Sequence, residues 1–552
     1  MAKQKMVVEA PEGSLFYGNG FVYINVESAY DPKVKYTRNK RVCIGKNIDK
    51  KTMYANNNYV SLFAKDSLPD LPDRSDTLVM GMPLFLKKAA CDSGLDSSLL
   101  SVFDPDETSL ILDLAAYLLT EETDAFQHYP SYGFHNALLS ESIVSDSTIS
   151  RFLRESIKSS AVQQFLDEWS EQNAGEGRAY LCYDSTNINC VADGVTIAEM
   201  GHAKDDPSKP QVNLEYVVRQ EDGLPLIYKD YPGSIVDITQ CSDMIDTIQA
   251  LGYHDIVAIC DRGYISKDNL VDFDNTGVGF LLLLKSCDAT KDLIAKYGKK
   301  VRLRSEVYME EHDLYGMTVR HRLFGNSGPC RYLHIVWDQE IADKERRSIM
   351  KTVSGIEASL AKMVKKGTHL SVQKQKEYGR YFDIEIYPRT RKIKSYERNN
   401  KAIDEAIELE GFHILVSSDE MACSDAVDAY SKRDCVEKTF RALKTNTGMD
   451  TLRGHSNANI DGRFFILFIA SILKSVVFHS SRSLRDKDRK NYTVSAIVKE
   501  LNKIEAVADY KTGQYRRRYK LTAKQKAILS CLALSENDVD EFAKSITSSY
   551  KS

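Results

Sequence analysis

Hydrophobic positions change their spacing several times along this chain, and each change predicts an element. Up to about residue 100, short alternating runs such as FVYINVESAY, rich in Val, Ile, Tyr and Gly, predict a small β-rich unit. From about Ser109 the apolar positions of SLILDLAAYLLTEE and AVQQFLDEW recur at helical spacing. Between them SDSTISRFLRESI offers Asp146 or Ser147 as an N-cap. It reads either as an amphipathic surface helix or as the second helix of a helix-turn-helix, presenting Ser150, Arg151 and Arg154 to a groove.

Strand signals then dominate. RAYLCYDST, VTIAEMGHA, VNLEYVVRQ and LPLIYKDYPG follow one another, a helix is predicted over residues 239–251, and the apolar run DIVAIC leads straight into DRGY. GFLLLLK is another buried-type strand. Interleaved strands and helices predict an α/β or α+β core. Residues from about 290 to 405 differ: VRLRSEVYMEE, MTVRHRLFG and RYLHIVW read as strands, and a charged helix follows over Gln339–Lys366. Residues 362–401 hold twelve basic and four acidic side chains, which predicts an insertion with a basic surface. FHILVSS returns to core-strand character, and a long helical pattern starts near Ser424.

Composition narrows the class. The 552 residues leave room for several domains, and 43% hydrophobic with 28% charged residues is ordinary for a globular protein. Net charge is only -4, so any nucleic-acid contact must come from local basic patches. One such stretch is residues 33–51, with eight basic residues and the single acid Asp49; a solvated hairpin and a DNA-contact patch account for it equally. YRRRYK, from Tyr515 on, suits either a DNA-backbone track or a solvated helix. The eleven cysteines form no CxxC pair, which argues against a zinc ribbon and a secreted disulfide framework and suits a reducing cytoplasm. The first residues, MAKQKMVVEAPEGS, lack the apolar stretch of a signal peptide. The longest apolar run, residues 464–473, is too short for a membrane span and reads as a buried helix.

Three acids are candidates for chemistry. Asp184 ends the strand-like run YLCYDST and Asp261 ends IVAICDRGY, although DST and DRG also suit turns. The third, Glu437, lies in SDAVDAYSKRDCVEKTFRALKTN. On a helical wheel with Tyr430 at zero, Arg433 falls near -60°, Glu437 near -20° and Lys444 near -40°, at about 100° per residue. Such a stripe taken alone also suits a solvated charged face. Two strand-end acids and one helical acid could instead converge into a hard-oxygen cage suited to Mg²⁺. Two metals in such a cage clamp the attacking and leaving oxygens of an in-line phosphoryl displacement. Arg433 and Lys444 beside it would hold DNA phosphates.

Tyr430-x2-Arg433-x3-Glu437-x6-Lys444 matches the Y-R-E-K signature of insertion-sequence transposases of the IS-four superfamily. YDST and DRGY resemble that group's first and second acid motifs. GHAKDDPSKPQVNLEYVV and RNKRVCIGKNID resemble the IS-sixteen-thirty-four branch, with Ala203 where a serine is usual. The resemblance covers most of residues 20–480. It implies an α/β ribonuclease-H-like core interrupted by a β-rich insertion, with N-terminal β-rich and helical DNA-binding regions.

The expected divisions are a β-rich DNA-contact region over 1–100, a helical end-binding region over 101–175 and the first part of the core over 176–290. The β-rich insertion with a basic surface follows over 291–404, the second part of the core over 405–480, and a helical region for DNA binding or dimerisation over 481–552. Asp184, Asp261 and Glu437 are the expected catalytic and metal-binding residues, holding two Mg²⁺ ions for which Mn²⁺ can substitute. Tyr430, Arg433 and Lys444 are expected at the DNA. Trp337, one of two tryptophans, reads either as a core residue of a strand or as a stacking platform for a flipped base.

The implied function is cut-and-paste DNA transposition in the prokaryotic cytoplasm, at the nucleoid. The partners are the terminal inverted repeats, target DNA and a second copy of the chain in a homodimeric synaptic complex, with no membrane. The rivals are a ribonuclease-H-like nuclease without strand transfer, an inactive DNA-binding derivative, and a structural metal-binding protein. Intact acids argue against the second, and the basic stripe beside Glu437 argues against the third.

Overall fold

The computed structural model describes residues 7–31, 35–63, 74–140, 142–174, 177–201, 206–323, 328–446, 451–454, 456–509 and 514–548. Ala203 lies outside them. The chain divides into two compact units, residues 1–76 and 77–552. The first is an antiparallel sheet of β1 (Val7–Glu9), β2 (Leu15–Phe16), β3 (Phe21–Asp31), β4 (Tyr36–Asn47) and β5 (Thr52–Ala55), followed by α1 (Asn57–Phe63). Its core is small, built on Val22, Ile44 and Met53. The β-rich character expected to residue 100 thus belongs to a shorter unit, because the apolar run from Gly81 is helical.

The second unit opens with β6 (Thr77–Val79) and the helices α2 (Gly81–Asp92), α3 (Leu95–Leu100), α4 (Pro105–Glu121), α5 (Tyr129–His135), α6 (Asp146–Glu155) and α7 (Ser159–Asn173). Local chemistry sets the starts. Asp104 accepts from the Glu107 N–H ahead of Pro105 in the first turn of α4. Ser145, rather than Asp146 or Ser147, caps α6. Ile149, Phe152 and Leu153 are the buried face of α6, and Arg151 and Arg154 stay exposed.

A large mixed sheet forms the centre. Its first half comprises β7 (Ala179–Cys190), β8 (Gln211–Arg219), β9 (Pro225–Pro232), then α8 (Asp237–Ala250), β10 (Ile256–Cys260), α9 (Lys267–Thr276) and β11 (Gly279–Leu283). After α10 (Asp288–Leu303) come β12 (Tyr308–Met309), β13 (Leu314–Arg322) and β14 (Cys330–Trp337). A helical excursion follows: α11 (Gln339–Lys366), α12 (Val372–Tyr378), the hairpin β15 (Phe382–Ile386) and β16 (Ile393–Arg398), and α13 (Asn400–Glu408). The chain re-enters the sheet as β17 (Phe412–Ser417), then forms α14 (Cys423–Ser431), α15 (Asp434–Asn446), β18 (Thr451–Leu452) and α16 (Asn457–Ser480).

The strand order is β12-β13-β14-β17-β11-β10-β7-β8-β9, with β18 also on β7. β7, β8 and β9 are antiparallel neighbours, whereas β10 and β11 run parallel to β7. β17 pairs antiparallel with both β11 and β14.

The expectation of a separate β-rich insertion over 291–404 needs correction. β12, β13 and β14 are continuous with the central sheet, and the independent part is mostly helical. Its own core contains Val353, Ile356, Leu360, Leu370, Tyr378, Phe382, Ile393 and Ile403. VRLRSEVYMEE misled because Leu293, Tyr297 and Val301 recur every four residues, so its first residues close α10.

α16 is buried along most of its length and packs on α4, α6 and α2. The chain ends with α17 (Arg482–Lys487), α18 (Val494–Leu501), β19 (Glu505–Ala508), β20 (Tyr515–Arg517), α19 (Ala523–Ser530) and α20 (Glu536–Ser548). β6, β19 and β20 make a small sheet. YRRRYK is therefore a strand and its exit. Arg517 is paired with Glu536 and Asp540, and Arg518 with Glu505, which commits two of its arginines internally. All eleven cysteines are free thiols. Among the described residues no helix is long and apolar enough to cross a membrane.

Two glycines in helices give opposite predictions for one substitution. A Cβ on Gly462 in α16 would lie 2.5 Å from the Leu153 carbonyl oxygen, whereas one on Gly355 in α11 meets nothing within 4 Å. Gly355→Ala should stabilise by about 0.5–1 kcal/mol through helix propensity. Gly462→Ala gains the same propensity but must push a backbone away, for a net loss on the order of 1–3 kcal/mol. Thermal unfolding of the two variants should shift in opposite directions.

Candidate active site

The pairing of β10 with β7 sets the position of two acids. Its last rung is Cys260 opposite Tyr183, so the next residue of each strand is Asp261 and Asp184. The two residues follow that rung at one level on neighbouring parallel strands, whose backbones lie about 4.8 Å apart. Asp184 does not end its strand, as the sequence suggested. β7 runs on to Cys190, and β18 pairs with it only at Asn189 and Cys190. Between these partners, residues 184–188 of β7 have β8 on one edge and neither β10 nor β18 on the other.

The turn after β10 is held firmly. Asp261 caps the single 3-10 turn of residues 262–264, its Oδ1 accepting from the Arg262 N–H at 2.7 Å. Tyr264 is buried against Tyr183, with ring centroids 4.7 Å apart. The Tyr183 hydroxyl donates to Glu215 Oε2 at 2.6 Å, and Glu215 has no exposed surface. Burial, ahead of the Glu215 charge, pushes the Tyr183 phenol well above its usual range. Asn269 Nδ2 donates to the Tyr264 carbonyl at 2.8 Å. Glu215 was not among the expected site residues, yet VNLEYVV carries a signal for it: one acid inside an otherwise apolar strand.

The third acid arrives on α15. Tyr430 and Glu437 do not share one continuous helix. α14 ends at Ser431, α15 begins at Asp434, and Arg433 sits in the break. Hydrogen bonds of the i to i-3 kind bridge it, from the N–H of Arg433 to the Tyr430 carbonyl and from Val436 to Arg433. Val436 and Phe440 are the buried face of α15, and Phe440 packs on Tyr216, the β8 partner of Asp184, at 5.4 Å between centroids. The helix is anchored through these two positions.

Arg433 joins the acids. Its side chain is only 12% exposed; Nη2 pairs with Glu437 Oε1, and Nη1 lies 3.8 Å from Asp184 Oδ2. The Tyr430 hydroxyl donates to Asp261 Oδ1 at 3.4 Å, and the guanidinium lies over the Tyr430 ring. Burial works against the charge of Arg433, but Tyr430, Asp261, Glu437 and Asp184 together hold its pKa above the usual value. Burial pushes the Tyr430 phenol up, so it remains protonated at neutral pH. Nε and Nη1 of Arg433 are buried and make no hydrogen bond among the described residues.

Five of the seven expected residues are thus brought together. Lys444 lies on the Glu437 face of α15, two turns or about 10 Å farther along the axis. Trp337 is elsewhere. It ends β14, three strands from β10, its indole N–H donates to the Glu410 carbonyl at 3.2 Å, and its ring packs with Tyr315 and Phe412. It serves the sheet as a packing residue.

The donor set of three carboxylates suits a hard divalent cation. Among the described residues no group of three or more His, Cys, Asp or Glu side chains is drawn together closely enough to form a ready metal cage. The buried positive charge amid the acids belongs to Arg433.

Removing the Tyr183 hydroxyl tests the support beneath the acids. Tyr183→Phe deprives a fully buried carboxylate of a short hydrogen bond, at a cost of about 1–3 kcal/mol. The denaturant midpoint should fall accordingly, without a change in slope.

Residues 176–473 match the family model described as Transposase DDE domain. A comparison with curated proteins finds no match. Among solved structures, a piggyBac transposase synaptic complex with hairpin DNA is similar over 72% of this chain and 70% of its own, at 12% identity and a TM-score of 0.34, too loose a likeness to bear on the site. The family match spans more than half of the chain, including all three acids and the break that carries Arg433, and so this protein belongs to the DDE transposase domain family.

Proposed function

We propose that this transposase cuts the phosphodiester at the ends of a mobile DNA element and joins the freed 3'-OH to target DNA, with Asp184, Asp261 and Glu437 as its acids. The observation that supports it is the convergence of Asp184, Asp261, Tyr430, Arg433 and Glu437 where β10 leaves β7. The order β9-β8-β7-β10-β11, antiparallel then parallel, supports a ribonuclease-H-like core for this reading. The Y-R-E-K spacing supports the IS-four superfamily and its IS-sixteen-thirty-four-like branch. A homodimeric synaptic complex on terminal inverted repeats, in the prokaryotic cytoplasm, goes with that reading.

Asp184 and Asp261 would hold one divalent ion between them, and Glu437 would help hold a second. Mg²⁺ or Mn²⁺ bound there would neutralise charge and polarise the scissile phosphodiester. The chain's own residues do the positioning. Nε and Nη1 of Arg433 make no hydrogen bond among the described residues, Nη1 being held only by its longer ion pair to Asp184, and a guanidinium fork is well shaped for two phosphate oxygens. The Tyr430 phenol, kept neutral by burial, remains a donor beside Asp261. Lys444, farther along α15, meets phosphates beyond the cut. Burial of Arg433 limits the water that competes for these contacts.

Asp184→Asn, Asp261→Asn and Glu437→Gln should each abolish metal-dependent cleavage of element ends while leaving end binding nearly intact in a gel-shift assay. Cleavage that survives any one of them would remove that residue from the site. Pre-cut ends supplied to the parent enzyme should be joined to target DNA; nicking without joining would leave a nuclease. Lys444→Ala should weaken end binding and reduce the salt slope by about 0.9, as for one lost phosphate contact.

A further inference from the structure

The helical excursion between β14 and β17 ends in a concentration of positive charge that the catalytic site does not use. Lys365 and Lys366 occupy the last turn of α11, which Gly367 closes with a φ of 62°. The following loop is tied to the β15–β16 turn. The Leu370 N–H donates to the Arg391 carbonyl at 2.8 Å, and Arg391 Nε returns a bond to the Leu370 carbonyl at 3.0 Å. His369 bridges to Lys392, and a Cβ on Gly367 would lie 3.5 Å from Lys392 Nζ. Lys374 sits at the start of α12 just beyond, and Arg389 at the hairpin turn.

Lys365, Lys366, Lys374, Arg389 and Lys392 are all exposed, and no ion pair among the described residues engages them. Down the hairpin and into α13 the arrangement is different. Lys394 pairs with Glu385, Arg398 with Glu357 and Lys401 with Glu405. The sole exposed acid of α12 is Glu377. Lysines in a last helical turn complement the helix dipole, which accounts for Lys365 and Lys366 by themselves. It does not account for Arg389 and Lys392, which the hairpin delivers to the same end. Tyr387, 53% exposed, stands beside them at the turn. Like charges gathered from three elements repel one another unless an anion is shared, and a row of phosphates is such an anion.

The direction of the strands relates this tip to the acids. β14 runs parallel to β10, because β17 pairs antiparallel with both β14 and β11 and β11 is parallel to β10. The excursion therefore leaves from the sheet edge at which Asp261 ends β10. α11 has 28 residues, a length of about 42 Å. That length matches the rise of about twelve base pairs of duplex at about 3.4 Å each.

We propose that this basic tip binds the phosphate backbone of duplex DNA away from the cut. The proposal rests on the reading of the chain as a DNA-cutting transposase and adds to it a second point of attachment. It contributes affinity without sequence preference, since cations on phosphates carry no base information.

The test uses the full chain carrying Lys365→Ala, Lys366→Ala, Arg389→Ala and Lys392→Ala together. Binding of an arbitrary duplex several helical turns long is measured across a salt series, beside the parent. The expected result is an affinity lower by about tenfold or more near 0.1 M salt, and a salt slope reduced by about 3–4. Equal affinity and slope in parent and variant would overturn the proposal and leave the transposase reading standing. A parent that binds no duplex at all would overturn both. Retention of poly-glutamate by the parent, lost in the variant with duplex binding unchanged, would assign the tip to an acidic polypeptide and overturn the proposal.

Discussion

The parallel pairing of β10 with β7 is the constraint on which the site depends. A parallel ladder fixes which residues lie opposite one another, and here it stops at Cys260 and Tyr183, one residue short of two aspartates. Neither acid has to be buried in the sheet. Neither is left on a mobile loop, because Asp184 continues in register with Tyr216 of β8 and Asp261 caps the next turn. The fully buried strand β10 supplies rigidity up to the last residue before Asp261. Tyr264 of the turn then packs its ring on Tyr183 of β7, and one short hydrogen bond from Tyr183 to Glu215 ties β7 to β8.

Arg433 meets this frame from the opposite direction. Unit charges about 4 Å apart attract by about 4 kcal/mol at an effective dielectric of about 20. Removing a guanidinium from water offsets much of that gain, so the ion pairs say more about position than about stability. The break at Lys432 and Arg433 matters for this reason. In an uninterrupted helix the direction of Arg433 would be set by the same axis as Glu437. At the junction it reaches Asp184 on the sheet as well as Glu437 on its own helix. Its position is thus fixed by the ion pairs to Asp184 and Glu437, while Nε and Nη1 make no hydrogen bond among the described residues.

Much of the site was legible in the sequence because spacing and chemistry coincide there. Tyr430, Arg433 and Glu437 converge as the wheel predicts, even though the helix is broken, because a short i to i-3 bridge preserves the approximate rotation. Asp261 was readable at the end of an apolar run. Asp184 was readable as an acid in a strand, but not as mid-strand, since nothing local shows where a neighbouring strand will stop pairing. The helical nature of the excursion was legible in Gln339–Lys366. Its boundaries were not, because β12, β13 and β14 look like any alternating strands until their partner β17, far along the chain, is known. Glu215 was overlooked for a related reason. A buried acid is recognisable only when its partner Tyr183, on another strand, is in view.

Trp337 illustrates how the sheet carries the excursion. β14 and β17 pair as far as Trp337 opposite Phe412, and Tyr315 of β13 lies across from Trp337 on the other side. The chain leaves and re-enters the sheet through this aromatic row. The Asp338 N–H donates to the Gly411 carbonyl and the Gly411 N–H to Glu345, which closes the gate between departure and return. An aromatic with its indole N–H already bonded and its ring already packed is better placed as a foundation than as a platform for a base. Because β14 shares its direction with β10, that foundation stands on the edge of the sheet where the acids emerge. Strand polarity, more than any loop, thus makes the chain leave the sheet for the inserted helices at the end where Asp261 follows β10.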